Sequence, residues 1–454
     1  MCKKILAAIL SIAMVGMIGC SGGKTGTKAV KDTVADKGLP VIGDTIKYDP
    51  NHLVNDGEPI SFEFWMWGSE DLFQGVVDEY SKIHPNVEIK IVNNPWDDYW
   101  TKLPLQLKGK NGPALFNIHN SYHDNIIQYM APYDIPTEDL EADFIGAGAH
   151  VIDGKIYYID YGIMTGSIYY NKKMWKEAGL TEADIPKTWD QFAEVAKKLT
   201  IKDGSDFKQA GFNFNGDYQN IILGLNYQYG QNLFNDDKKT ATINNDAIKK
   251  ATQMLTDLYN KYGVGSKDFG NEATESFGQG QTAMVCEWGH FYQTLKDKYP
   301  DVEFGTFEIP TFNGEETYAY NRYNGESTFG INKNADEKAQ AVAQDFMKFF
   351  LANDEAQKAF CMDLSTFPAK KSLAKDEEIL SNPAMSVLSE HIDKYIWPGP
   401  MPSTLETNMK KVGQDIMYNN VSLDDALKTA ETNINNDLKN TNFESVEDLY
   451  KYAK

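Results

Sequence analysis

Basic residues are scarce in this chain of 454: 44 lysines and arginines face 65 aspartates and glutamates, a formal net charge of −21. That balance excludes a nucleic-acid partner, because neutralising phosphates needs a basic surface. Cysteine is scarcer still, at four, with Cys2 and Cys20 inside the first 20 residues. A disulfide-dense scaffold is excluded, and nothing in the sequence pairs the remaining Cys286 and Cys361. Beyond residue 20 no apolar run reaches the roughly 18 residues of a membrane-spanning helix. Catalytic signatures are missing too: there is no G-x-S-x-G, Walker loop, C-x-x-C or H-E-x-x-H. Carboxylates abound, but without geometry they nominate no glycosidase. No catalytic residue and no cofactor is expected. Arginine occurs once, as Arg322.

What is present points to a globular, secreted chain. The apolar fraction is 42% and the charged fraction 24%, close to a globular average, and the length suggests two to four domains. Aromatics, at 12%, are in mild excess. Lys3 and Lys4 precede the apolar stretch Ile5 to Ile18, right for a signal-peptide core and short for a span. The stretch ends Met17-Ile18-Gly19-Cys20-Ser21, which resembles the lipobox of bacterial lipoproteins. Residues 1–19 are therefore expected to be removed and Cys20 lipidated, anchoring the chain to the outer face of the cell membrane. Residues 20–58 lack apolar periodicity and are expected to form a flexible tether.

The body reads as α/β. Strand alternation begins at Ser61-Phe62-Glu63-Phe64-Trp65-Met66-Trp67. Phe73, Val76, Val77 and Tyr80 then form a helical stripe that Pro85 ends, and Val87, Ile89 and Ile91 alternate in a second strand. Ala114 to Ile118 is a third apolar stretch, ending in a polar loop. Ligands of open α/β sheets sit beyond the C-terminal strand ends, so Trp65, Trp67, Asn120 and Tyr122 are expected on one rim. Thr188-Trp189-Asp190-Gln191 is a capping box ahead of a helix with Phe192, Val195, Ala196 and Leu199 inside. A long helix is expected after Asn334, and the chain from Ser386 on reads largely helical.

Tyr169-Tyr170-Asn171-Lys172-Lys173-Met174-Trp175-Lys176-Glu177-Ala178-Gly179-Leu180, followed by Pro186-Lys187-Thr188-Trp189-Asp190-Gln191-Phe192, resembles the signature of family 1 extracellular solute-binding proteins. Phe277-Gly278-Gln279-Gly280-Gln281-Thr282-Ala283-Met284, Phe329 to Ala335 and Ser422 to Leu427 match later segments in order. The resemblance implies an α/β, two-lobed periplasmic-binding-protein-like fold of type II, a Venus flytrap with the ligand cleft between the lobes. Lobe one would comprise 59–164 plus 328–375, and lobe two 165–327 plus 376–454. The chain would cross near Met164–Ser167, Asn324–Thr328 and Leu373–Leu380. The implied function is capture of a carbohydrate, an oligosaccharide, by a monomer that hands it to the permease subunits of an ABC importer. A polyamine or sugar acid on the same fold, a secreted glycoside hydrolase and a surface adhesin are the alternatives. Met164 stands where maltose binders place a hinge glutamate, Phe291 roughly where they place one stacking tryptophan, and Glu406 roughly where they place another.

A sugar presents hydroxyls and an apolar C–H face, so its site needs planar aromatics and amide or carboxylate partners. The candidates are Trp65, Trp67 and Glu70 at the first strand-to-helix turn, Asn120 and Tyr122, then Glu287, Trp288 and Phe291, then Trp397 in a Pro-Gly turn. Strand parity puts Trp65 and Trp67 on one side, where either could be core. Trp175 and Trp189 are expected to pack structurally. Arg322 fits either a bidentate bond to ligand or a structural pair with a carboxylate. No metal site is expected: His119 and His123 lack a third ligand nearby, and Asn213, Asn215 and Asp217 do not complete a calcium loop.

Overall fold

The computed structural model describes residues 41–450, apart from 271 and 313–318. The expected signal peptide, Cys20 and the first part of the tether lie outside the described residues.

The strand Ile60–Met66 buries Phe62, Phe64 and Met66 and exposes Glu63, the alternation of a sheet with one covered face. The helix Glu70–Ile83 covers it with Phe73, Val76, Val77 and Tyr80, all buried. The next strand, Val87–Asn93, returns parallel to the first, with Ile60 opposite Val87 and Met66 opposite Asn93. Leu115–Phe116 adds on the other side, also parallel. Gly330–Asn332 and Met130–Ala131 complete a five-stranded sheet. The long helix Glu337–Ala352 packs on this first core through Val342, Ala343, Phe346, Phe349 and Phe350.

A second core surrounds the strand Ser167–Asn171, flanked antiparallel by Met284–Glu287 and Phe304–Phe307. The capping box forms as the sequence predicts: Thr188 and Gln191 bond reciprocally, and Phe192, Val195 and Ala196 of helix Trp189–Lys198 are buried. All ten residues of helix Gln219–Gln228 are buried, and helices Asp246–Asn260 and Thr404–Asn419 pack against it and against each other. Leu423–Leu438 closes the layer, so the helical reading of the C-terminal part holds for this pair. Each core encloses one free thiol, Cys361 in the first and Cys286 in the second.

Paired strands join the two cores. Asp160–Met164 runs antiparallel to Asn324–Ser327, with Phe367–Pro368 on its other edge. Core membership changes between Ile163 and Ile168, and again between Ala319 and Tyr323. In the expected third passage, Leu373, Ile379 and Met385 make a small cluster of their own. The alternation falls later: Tyr395 and Trp397 belong to the first core, Ile396 and Leu405 to the second.

One expectation is overturned. Residues 41–58 are not all tether: Ile46, Tyr48 and Val54 are buried in the first core, and the Ile46 N–H donates to Asp143 Oδ2 at 2.9 Å. The segment is irregular, so its three anchors follow no helix or strand period and left no pattern to read.

Candidate functional site

A cavity of about 550 Å³ opens where the joining strands and both cores meet. Trp67, Trp96, His119 and Asn120 line it from the first core's sheet edge, and Trp288, Arg322 and Glu406 from the second core's side. Met164, Tyr323, Asn324 and Glu326 of the joining segments and the turn at Trp397-Pro398-Gly399 also line it.

Trp67 follows the last residue of the first strand, and Gly68, at φ +89°, turns the chain away in a conformation that a side chain would resist. Its ring meets Trp96 edge-on at 5.0 Å and Tyr99 at 4.9 Å. Trp96 opens the helix Trp96–Gln106 and remains 37% exposed. Asn120 is held rather than free: its Nδ2 donates to Asn324 Oδ1 at 3.1 Å and to the Gly325 carbonyl at 2.9 Å, and its Oδ1 accepts from Ser327 at 3.1 Å. It pins the first sheet's rim to a joining strand. Trp288 follows the strand Met284–Glu287 and is buried. Arg322 lies over its ring, 5.4 Å from the centroid, a cation–π contact.

Arg322 is 2% exposed. Its Nη2 donates to Asn220 Oδ1 at 2.5 Å and to Glu406 Oε1 at 2.6 Å, while its Nε has no partner among the described residues. The structural pairing weighed from the sequence is thus present, and the same side chain also faces the cavity. Burial and the neighbouring Asp160 carboxylate push the half-buried Glu326 carboxyl up to about 7. Behind Trp288, burial and Asp217 push Glu287 up to about 8, against the pull of Lys410.

Five of the ten candidate residues therefore line the cavity: Trp67, Asn120, Trp288, Arg322 and Trp397. The others do not. Trp65 packs on the first core and donates Nε1 to Glu63 at 2.7 Å. Glu70 is exposed and accepts from Asn93 at 3.2 Å. Tyr122 stacks flat on Trp100 at 3.9 Å, one ring behind Trp96. Glu287 points among Asp217 and Lys410 rather than into the cavity. Phe291 is 3% exposed and meets Tyr169 at 4.9 Å, so it is core of the second lobe and no platform. It begins the helix Phe291–Lys298 and faces inward, while Trp288, three residues earlier, sits in the loop.

The sequence reading missed Trp96, His290, Tyr323, Asn324, Glu326 and Met401 as lining groups. Trp96 was within reach, since it follows the C-terminal end of the second parallel strand, on the rim that nominated Trp67. Of the dismissed metal candidates, His119 Nδ1 lies 2.8 Å from Ser121 Oγ, His123 Nδ1 lies 2.9 Å from Tyr158 Oη, and Asn213 donates to Gly270 O.

A sequence profile described as bacterial extracellular solute-binding protein matches residues 75–387. The diacetylchitobiose binding protein DasA of Streptomyces coelicolor is 25% identical over 391 residues, 82% of this chain and 83% of that one. The multiple sugar-binding protein of Streptococcus mutans is 22% identical over 342 residues, 71% of this chain and 78% of that one. Among solved structures, the cyclic alpha-maltosyl-1,6-maltose binding protein from Arthrobacter globiformis superposes with a TM-score of 0.68. That match has 20% identity and covers 84% of this chain and all of the other, which shows a shared two-lobed fold. All three of these relatives are binding proteins.

Proposed function

The chain belongs to the bacterial extracellular solute-binding proteins, and from that premise we propose that it captures a carbohydrate of oligosaccharide size and delivers it to the permease of an ABC importer. The observation that carries this reading is the lining of the cavity. Trp67, Trp96, Trp288 and Trp397 offer ring faces or edges, and Asn120, Asn324, Glu326 and Glu406 offer polar partners between them. Apolar ring surface alternating with amides and carboxylates is what a sugar's C–H face and hydroxyl rim require. The volume lies in the ~300–1,000 Å³ range of small-molecule sites. Because Glu406 already neutralises Arg322, the site favours an uncharged ligand over a sugar acid.

In this proposal the lobes follow the sequence boundaries, 59–164 plus 328–375 and 165–327 plus 376–454, except that 41–58 joins lobe one and that Tyr323, Tyr395 and Trp397 pack in the first core. They close over the ligand by rotation about the joining strands, since packed cores resist continuous strain. The protein acts as a monomer held to the membrane by lipid on Cys20. Cys20→Ser is expected to release it to the medium, and unchanged retention in the membrane fraction would exclude that anchor.

The test of the binding reading is calorimetry against mono- and oligosaccharides, with Trp288→Ala beside the unaltered protein. Removing this platform is expected to weaken binding by about 1–3 kcal/mol while the far-ultraviolet spectrum stays the same. If no sugar of the panel binds the unaltered protein, the carbohydrate reading fails. If one binds and Trp288→Ala matches it in affinity, the platform lies elsewhere.

A further inference from the structure

Remote from the cavity lining, three segments far apart in sequence bring metal-ligating side chains together. His52 lies in the irregular segment before the first strand, His84 caps the C-terminal end of helix Glu70–Ile83, and Asp345 lies midway along helix Glu337–Ala352. One donor atom from each falls within 4.8 Å of the others. Both imidazoles present Nε2 to the same carboxylate, His52 at 2.6 Å from Oδ1 and His84 at 3.9 Å from Oδ2. A fourth oxygen is at hand: the Tyr48 hydroxyl lies 2.8 Å from Asp345 Oδ2 and also meets His84 Nε2. None of these residues lines the cavity.

We infer that His52, His84 and Asp345, with Tyr48 or a water as fourth ligand, form a site for a divalent transition-metal ion of the zinc type. The donor set decides the class of ion. Two imidazoles and one carboxylate suit zinc and its neighbours, whereas calcium and magnesium take oxygen ligands almost alone. The surroundings are those of a ligand shell. His52 Nδ1 is held by the Asp49 carbonyl at 2.5 Å, which aims Nε2 at the centre. Tyr80 donates to Asp345 Oδ2 at 2.7 Å, which fixes the carboxylate. Such outer hydrogen bonds orient metal ligands and set which nitrogen is free. Ligands of a tetrahedral zinc stand about 3.3 Å apart, given bonds of about 2.0–2.1 Å, so modest side-chain rotations gather these donors. The His84 side chain is 4% exposed and that of His52 37%, so one ligand is preset inside and the other stands at an open entrance. Bound there, the ion would staple residues 48–52 to two helices of lobe one, and its binding energy would add to the stability of that lobe.

The test uses the full chain, stripped with chelator and dialysed against micromolar Zn²⁺, with bound metal counted by elemental analysis. One zinc per chain is expected, together with a higher melting temperature. Co²⁺ in its place should give the visible absorption of a tetrahedral site. His52→Ala, at a half-exposed position that leaves the core intact, should weaken Zn²⁺ binding at least tenfold and abolish the melting shift. His391→Ala, outside both the cluster and the cavity lining, should change neither. Absence of bound zinc after dialysis would overturn the site. So would zinc binding that survives in both His52→Ala and His84→Ala, and in that case the cluster is a hydrogen-bonded network only.

Discussion

Arg322→Ala is expected to lower the unfolding free energy by about 2–3 kcal/mol. The guanidinium is 2% exposed and joins three pieces of the second lobe's side: Asn220 on one helix, Glu406 on another, and the ring of Trp288 beneath it. Breaking a buried ion pair by removing one partner costs ~3–5 kcal/mol, because the other charge is left stranded. Here the Glu406 side chain keeps 31% exposure and can recover water, which places the expected loss below that range. Arg322→Lys keeps the charge but not the planar fork, so it should recover only part of the loss. Urea unfolding monitored by tryptophan fluorescence measures both variants. A midpoint unchanged from the unaltered protein would mean that the pair contributes nothing to the fold. The same variants bear on binding, since Arg322→Ala strips the cation from the Trp288 ring and Arg322→Lys removes the planar fork that lies over it. Sugar affinity measured on folded Arg322→Lys is expected to fall about tenfold, near 1.4 kcal/mol.

A larger effect is expected at Trp397. The indole is 2% exposed, belongs to the first core and stacks on His150 with ring centres 4.1 Å apart and planes 19° from parallel. His150 Nε2 in turn lies 3.1 Å from Asp160 Oδ2, at the start of the joining strand. Trp397→Ala removes a large packed ring, a change that costs ~3–5 kcal/mol in protein cores. Against a total stability of ~5–15 kcal/mol that is a large share, and the melting temperature should fall by many degrees. Trp397→Phe retains a ring against His150 and should lose far less. Equal melting of Trp397→Ala and the unaltered protein would show that the ring merely edges the cavity. Because Trp397 serves the core and the cleft at once, its contribution to binding is read from Trp397→Phe.

What could be read from the sequence was local. Phe73, Val76, Val77 and Tyr80 announced their helix because a 3.6-residue period survives in the string of letters, and Thr188 with Gln191 announced a helix start for the same reason. Trp67 and Asn120 could be placed on a rim because strand ends and rims coincide in this class of sheet. Contacts between distant segments were another matter. The lone arginine and the carboxylate at 406, where the family resemblance suggests an aromatic, were two unrelated oddities in the sequence; in the fold they are one ion pair across 84 residues. Phe291 shows the opposite error. Counting along a motif put an aromatic near the right place, but the helix beginning there turns the ring inward to Tyr169, and the loop three residues earlier supplies the indole that lines the cavity. The segment 41–58 was misread as tether because its anchors, Ile46, Tyr48 and Val54, obey no period at all.

The two thiols give each lobe its own clock. Cys361 and Cys286 are both fully buried, one in each core, and burial raises both well above the ordinary thiol range, Cys361 to about 12. Only the thiolate reacts, so neither can be alkylated while its core is shut. The rate at which a reagent marks each cysteine therefore counts the openings of one lobe and not the other. A sugar that binds between the lobes should slow both rates, whereas an ion held by His52, His84 and Asp345 should slow Cys361 first.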